Sequence, residues 1–551
     1  MPTKHPRIPV ERGIVCIHPE PACWGACLQE NRRAGAGDAT GDLSGRRELL
    51  SKARVYTRRL LGTGVPEDND TAVIGAGHQA IWHHGGIWAK TLVAARFARA
   101  VRAVHLHVVV DHDLGDTALV IPRKTAAGEW MGHREELEID PRSVPLEMRE
   151  SPPARQLAGF LRAVMERNPA GICADVWKQT PWPEDDARPR FHTVSDVITY
   201  LHALINERLG VSPELYLPVS ELSASDVFLR FAGGVMTDAT RFSSLYNEAV
   251  VAANPTPGGS LRVARPLRID QEQNRAEVPF WLVDTGGRRL PLHVNRHGKG
   301  VIQVGTAARP LGQLDATSGD LPDQLRELLT YRGYRLRPRA VALTLFVRLT
   351  LVDWFVHGVG GAIYERIGDH LFEHYYHRRP PHMASATCTM ILPQEEPSGT
   401  SSAGVGEAQR QLRAFLYQPE RFLPAPTAAT EPVATFIRLK QAAVSTARDP
   451  CLPHDRRKAA WKEIARLNRQ LQVHAKPAAD LLHQKLAEAR DSDRSQQVRD
   501  SREYFFGLFP EPRLRALVDS VAGETFGSDS WDKPGTNSIG GSSSVSGYRF
   551  R

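Results

Sequence analysis

The chain lacks most of the features that assign a function class at once. Its six cysteines, Cys16, Cys23, Cys27, Cys173, Cys388 and Cys451, are too few and too scattered over 551 residues for a disulfide framework. Cys23 and Cys27 have the spacing of half a metal site, and His18 lies near enough to be a third ligand, but no second pair follows. Isolated thiols in a reducing cytoplasm are the expectation, and no metal is assigned. Residues 1–9 are basic, yet no apolar run of signal-peptide length follows them. The most apolar long stretch, 340–361, carries Arg348, Asp353 and His357, which argues against a membrane span and for a buried strand. One-sided charge is also missing. There are 70 basic and 62 acidic residues, a net charge of +8, which is dilute at this length, so neither nucleic acid nor membrane is an expected partner. No G-x-G-x-x-G or Walker loop occurs.

The length implies two or three domains, and 41% apolar content with 24% charged residues implies that most of the chain folds. The most informative stretch is 71–113. A short apolar run at 72–74 breaks into Gly75-Ala76-Gly77-His78-Gln79. His83-His84-Gly85-Gly86 then precede a helical pattern from Ile87, and a second strand at 104–110 ends in Asp111-His112-Asp113. This is a β-loop-α-β unit with polar residues at both strand ends, where open α/β sheets bind ligands.

The predicted organisation follows from composition and periodicity. Residues 1–46 are expected to be irregular. An α/β core with a parallel or mixed sheet is expected over 47–393, with inserted segments around 126–192 and 255–300. Helices are predicted at 154–167 and 194–209, the latter started by Thr193 or Ser195. A hairpin is predicted at 277–294 around Gly286-Gly287. A buried strand at 340–356 should lead through His357-Gly358-Val359-Gly360-Gly361 into a helix at 363–376, repeating the strand, glycine loop and helix of the first unit. A linker at 394–405, a helical arm at 406–520 that packs back on the core, and a Gly/Ser-rich tail at 521–551 complete the chain. Within the arm, 456–490 is predicted as one long helix with a kink at Pro477.

Candidate chemistry concentrates at the first unit. If the two strands are neighbours, His78, His83, His84, Asp111, His112 and Asp113 meet at one sheet edge and could supply acid and base groups. The structural alternative has His83 and His84 capping the helix, and Asp111 and Asp113 capping turns. Gly77, Gly85 and Gly86 permit close backbone approach, and helix-start amides with Lys90 and Gln79 could hold a carboxylate or phosphate. His105 and His107 share a strand face and are assigned no chemistry. His357, Gly360 and Gly361 form a second anion-binding candidate. Asp353, inside an apolar run, needs a partner, with Arg348 or His357 in reach by sequence.

The pattern G-H-Q-x-x-x-x-x-G-G-x-x-x-K from Gly77 to Lys90, followed by Asp111-His112-Asp113, resembles the bacillithiol-biosynthesis cysteine-ligase family, of which the chain looks like a divergent relative. His78 stands where that family has the first of two glutamines, Gly86 where proline is typical, and Val110 where an acidic residue is typical. Gly360-Gly361 with Tyr364 is similar to a later Gly-Gly loop of the family, and 406–490 to its coiled-coil arm. The resemblance implies a Rossmann-like core with a coiled coil, and an enzyme that joins cysteine to an amino-sugar malate conjugate. The expected activity is thus ligase-like, forming an amide C–N bond between an amino acid or carboxylate and a small amine. Asp113 or His112 would be the base. A small polar or anionic substrate and a homodimer through the arm are the expected partners. ATP or ADP with Mg²⁺ would suit carboxylate activation, though no motif demands it. The alternative is a noncatalytic nucleotide- or metabolite-binding protein with a helical interaction arm.

Overall fold

In the computed structural model the described residues are 13–36, 43–62, 71–126, 128–138, 143–180, 190–253, 264–297, 300–392, 403–524 and 526. The fold is mixed α/β and divides into two compact units. The first comprises residues 1–121, 134–390 and 502–551, and the second 122–133 and 391–501.

The first unit is built on a six-stranded sheet. Its strands are β1 (Val15–His18), β2 (Val73–Gln79), β3 (Val104–Val110), β4 (Leu215–Pro218), β5 (Trp354–His357) and β6 (Ala384–Cys388). The spatial order is β1-β6-β5-β2-β3-β4. β2 to β6 are mutually parallel, and β1 adds to the edge antiparallel. The chain lays down β2, β3 and β4 in one direction, then returns to place β5 and β6 on the other side of β2. β3 and β4 are buried over almost their whole length, which is why they read as near-continuous apolar runs.

A second, antiparallel sheet lies in the same unit. Its strands follow the order Pro310–Asp315, Val301–Gly305, Arg289–His297, Arg275–Val283, Arg335–Pro338. The predicted hairpin is present, closed through Asp284 and Arg288 with Gly287 at φ +81°. One apolar core runs from Val73, Leu106 and Leu217 through Phe228 and Phe346 to Phe280 and Leu282. Phe228 sets its ring edge-on against both Phe280 and Phe346. The segment expected as an insertion at 255–300 therefore contributes three strands to this second sheet, the third being the short Ile269–Asp270 beside Arg275–Val283.

The predicted helices form at Ala154–Arg167 and Val194–Leu209. Thr193 caps the latter in a reciprocal box with Asp196. Other expectations are corrected. Residues 340–356 are not one strand: Ala340–Thr350 is a helix, and only Trp354–His357 is a strand. A run that is apolar on every side carries no periodicity to separate a buried helix from a buried strand. The N-terminal segment is not irregular either, since it supplies β1 and the helix Trp24–Ala36. Trp24 is fully buried against Phe97, Trp354 and Phe526, so ring partners far along the chain order a segment whose local pattern is weak.

The second unit holds the helices Ala403–Tyr417, Val433–Arg448, His454–His474 and Lys476–Asp500. Small cores form around Phe415, Ala475 and Leu482, and around Ala447, Ala460 and Ile464. The expected single helix with a kink at Pro477 is two helices. Pro477 occupies the first turn of the second, where its missing N–H leaves no helix bond unmade. The linker at 394–405 lies largely, and the tail at 521–551 mostly, outside the described residues. Among the described residues no helix is long and apolar enough to cross a membrane.

Candidate functional site

The site is assembled at the carboxyl ends of β2, β3 and β5. β2 and β3 pair in register from Val73 opposite Val104 to Gln79 opposite Val110, so the two polar strand ends lie side by side as expected. β5 pairs with β2 on the other flank, Trp354 opposite Ile74 and Phe355 opposite Gly75. The two strand-glycine-helix units are thus neighbours with their ends on one edge. β2 can lie this close to β3 because Gly77 has no side chain: a Cβ there would come within 2.6 Å of the Val108 carbonyl oxygen.

His84 is the N-cap of the helix Gly85–Ala100, its Nδ1 accepting from the Gly86 amide at 3.1 Å. That occupies one helix-start amide. His83 turns inward, with Nε2 2.8 Å from the Gln79 carbonyl oxygen. Gln79 and Asp113 meet at 3.3 Å across the strand ends, and Asp113 pairs with Arg289 from the second sheet. Burial opposes ionisation of Asp113, but the Arg289 guanidinium holds its carboxyl below the ordinary value.

Asp111 and His112 face structural partners. Asp111 accepts from the Ser220 amide at 3.0 Å and from the Ser220 hydroxyl, at the foot of the short helix after β4. Burial, reinforced by the charge of Glu147, pushes its carboxyl up to about 7. The His112 Nε2 lies 3.0 Å from the Pro338 carbonyl oxygen, and burial followed by the Arg337 charge pushes the ring down to about 4. Of the three residues of the motif, Asp113 is the one left partly open to solvent.

Lys90 lies one turn into the helix and is buried. Its Nζ donates to the Gly77 carbonyl oxygen at 2.5 Å, and its stem runs past Gly358. It makes no ion pair with a carboxylate among the described residues, and burial pushes its amine down to about 7. Lys90 therefore bridges the ends of β2 and β5, where the strand order reverses.

On the other side of β2 a polar cavity opens beneath the strand ends. His78, His83, His107 and His202 line it, with Asn206 and Tyr216. It has about 20 Å³ of room for water centres, roughly that of one water molecule. The rings touch in sequence: His78 lies 5.0 Å from His83, and His83 4.5 Å from His202, centroid to centroid. Burial is the main cause holding all four imidazoles below their usual value, with neighbouring positive charge adding to it, and His83 reaches about 3. The His107 Nδ1, His202 Nε2 and Tyr216 hydroxyl are buried with no hydrogen-bond partner of good geometry among the described residues. Among the described residues no group of three or more histidine, cysteine or acidic side chains is placed to hold a metal ion.

His202 and Asn206 were not anticipated as site residues. Their signal was available, since they are two polar side chains four apart on the helix face that also carries Ser195 and Thr199. Tyr216 and the Arg289 partner of Asp113 had no local signal at all. The segment after residue 501 also joins this region: the Phe506 amide donates to the His83 carbonyl at 2.8 Å, Phe505 stacks on His202, and Phe506 stacks on Trp88.

His357 ends β5 and precedes the helix Val359–His374. Its Nε2 lies 3.0 Å from the Glu365 carboxylate, off the line of an ideal hydrogen bond. Glu365 is fully buried against Arg348, which also holds Asp369. Burial alone would raise the Glu365 carboxyl, but the Arg348 charge together with His357 and Thr344 outweighs it and pulls it to about 2. Asp353 finds neither expected partner; it takes a two-pronged pair from Arg46 and the Val73 amide. Gly360 and Gly361 start the helix beside the His357 ring.

Neither a scan of family models nor a search of curated proteins finds a match to this chain.

Proposed function

We propose that this protein is a ligase-like enzyme with a Rossmann-like core, forming a C–N bond between a carboxylate and a small amine at the carboxyl edge of its parallel sheet. The observation that carries this reading is Lys90. A buried ammonium without a counter-ion is costly, and it stands at the reversal of strand order, where open α/β sheets take their ligands. An anionic group entering between Gly77 and Gly358 would supply the missing charge. The strand order, written outward from β4 as third, second, first, fourth and fifth parallel strand, is the order of dinucleotide-binding sheets and supports the Rossmann-like reading.

The kinship with the bacillithiol-biosynthesis cysteine-ligase family belongs to the same proposal. Its support is that Gly77, Gln79, Lys90 and Asp113, which carry the resemblance, converge on one edge. His78 lies in the histidine cavity, and in this reading it shapes the pocket wall without taking the proton. ATP or ADP with Mg²⁺ would activate the carboxylate. Pairing of two copies through the second unit has support in Leu439 and Trp461, large apolar side chains left exposed on its helices.

The test is direct titration of the full-length protein with ATP and Mg²⁺, inorganic phosphate and malonate by calorimetry, in wild type and Lys90→Met. Saturable binding lost in Lys90→Met is expected. Binding that is equal in both proteins would remove Lys90 from the site, and no binding of any probe would end the anionic-ligand reading. The noncatalytic alternative has its own support, because Asp111 and His112 are both engaged in structural contacts. Ligand binding without turnover of any carboxylate-amine pair would favour it.

A further inference from the structure

If the edge is catalytic, the proton acceptor must come from outside Asp111 and His112, whose polar atoms hold Ser220 and Pro338. Asp113 is tied to Arg289 and Gln79 and is a weak base for that reason. We propose that His357 is the proton acceptor of this crevice, with Glu365 and Arg348 as the residues that position and charge-balance it. This rests on the enzyme reading above.

Three observations carry it. First, His357 ends β5 at the reversal of strand order, and its neighbour Gly358 packs against the Lys90 stem. Second, the ring is set one way round. Nε2 is shut from solvent beside the buried Glu365 carboxylate, the side chain as a whole keeps 15% exposure, and the opposite edge carries Nδ1. Third, the helix start is shaped to receive that edge. A Cβ at Gly361 would lie 1.8 Å from His357 Nδ1, so only glycine allows the ring this position.

The charges around the ring fit the role. Glu365 and Asp369 share one cation, Arg348, and the Arg348–Glu365 pair is fully buried. With both carboxylates ionised the cluster carries one net negative charge while His357 is neutral, and none once it is protonated. Lys90, beyond Gly358, acts the other way and limits the gain. The step is a simple transfer. A substrate ammonium gives one proton to His357 Nδ1 and becomes a neutral amine with a free lone pair, and the imidazolium is held against Glu365.

The experiment uses acylation of the full-length protein by diethyl pyrocarbonate, which reacts with neutral, accessible imidazole, read by mass spectrometry of the His357 peptide across pH. His357 should react faster than the buried His105, His107 and His202. Its rate at a fixed, mildly acidic pH should change severalfold in Glu365→Gln, which removes the carboxylate beside Nε2. Asp369→Asn, which removes a more exposed charge, should shift it less. Gly361→Ala keeps both side chains but displaces the ring, and should change the rate without unfolding the protein as judged by circular dichroism. An unreactive His357, or a rate unmoved in Glu365→Gln, overturns the proposal even if anions bind at Lys90. Should no anion bind while this reactivity holds, the failure belongs to the enzyme reading alone.

Discussion

Mild acid should destabilise this protein, and the reason is a set of histidines that burial keeps neutral. His83, His105, His107, His112 and His202 are each at most 7% exposed, and burial is the leading cause holding every one below its ordinary value. His83 and His105 are pushed to about 3, and His112 to about 4. In the unfolded chain each titrates near 6.5. Above that value both states are neutral and pH is without effect. Below it the unfolded state takes up protons that the folded state refuses, so stability falls with pH until the folded values are reached. From pH 7.5 to 5.5 His83, His105 and His112 each cost about 1.4 kcal/mol, about 4 kcal/mol together, and His107 and His202 act in the same direction. Asp111 works in the opposite sense, because its carboxyl is raised to about 7 and its neutral form is favoured in the fold, which returns about 2 kcal/mol. Lys90, lowered to about 7, adds about 1 kcal/mol in the direction of the histidines. The net loss of about 3 kcal/mol from the groups with stated values is a large share of the whole stability of a domain, about 5–15 kcal/mol. Urea unfolding followed by circular dichroism at pH 7.5 and 5.5 measures it, and the pH-dependent part of the loss should shrink by about 1.4 kcal/mol in His105→Leu. A midpoint that moves by less than the equivalent of about 1 kcal/mol would refute the reasoning, since it would mean that these rings are protonated in place or reach water.

Further outcomes follow from other buried groups. Lys90→Met should raise stability by about 1–4 kcal/mol in urea at pH 7 while anion binding is lost, because an uncompensated buried cation is replaced by an apolar chain of similar length. Arg348→Met should cost about 3–5 kcal/mol by the same assay, since it leaves Glu365 buried and unpaired. Thr193→Ala should cost about 1 kcal/mol through loss of the capping box with Asp196, with no effect on ligand binding.

The first unit of the sheet was legible in the sequence because its signals are local. Gly77 and Lys90 belong to one short stretch, and the strand ends at Gln79 and Asp113 are marked by where apolar runs stop. The hairpin at Gly286-Gly287 and the Thr193 cap were legible for the same reason, as each is decided by turn and cap chemistry within a few residues. The run at 340–356 was misread because a segment buried on all sides has no period, and its helical start is decided by packing against Phe228.

Tertiary structure alone decided which of the polar strand-end residues are free. Asp111, His112 and Asp113 look equivalent along the chain, yet Ser220, Pro338 and Arg289 give them three different surroundings. Asp353 found Arg46, more than three hundred residues away in the chain, and His357 found Glu365 only because a helix turned back over the end of β5. Local sequence specifies what a side chain can do chemically. Which proton it keeps and which partner it meets depend on burial and on contacts brought together by folding, and those have no period to read.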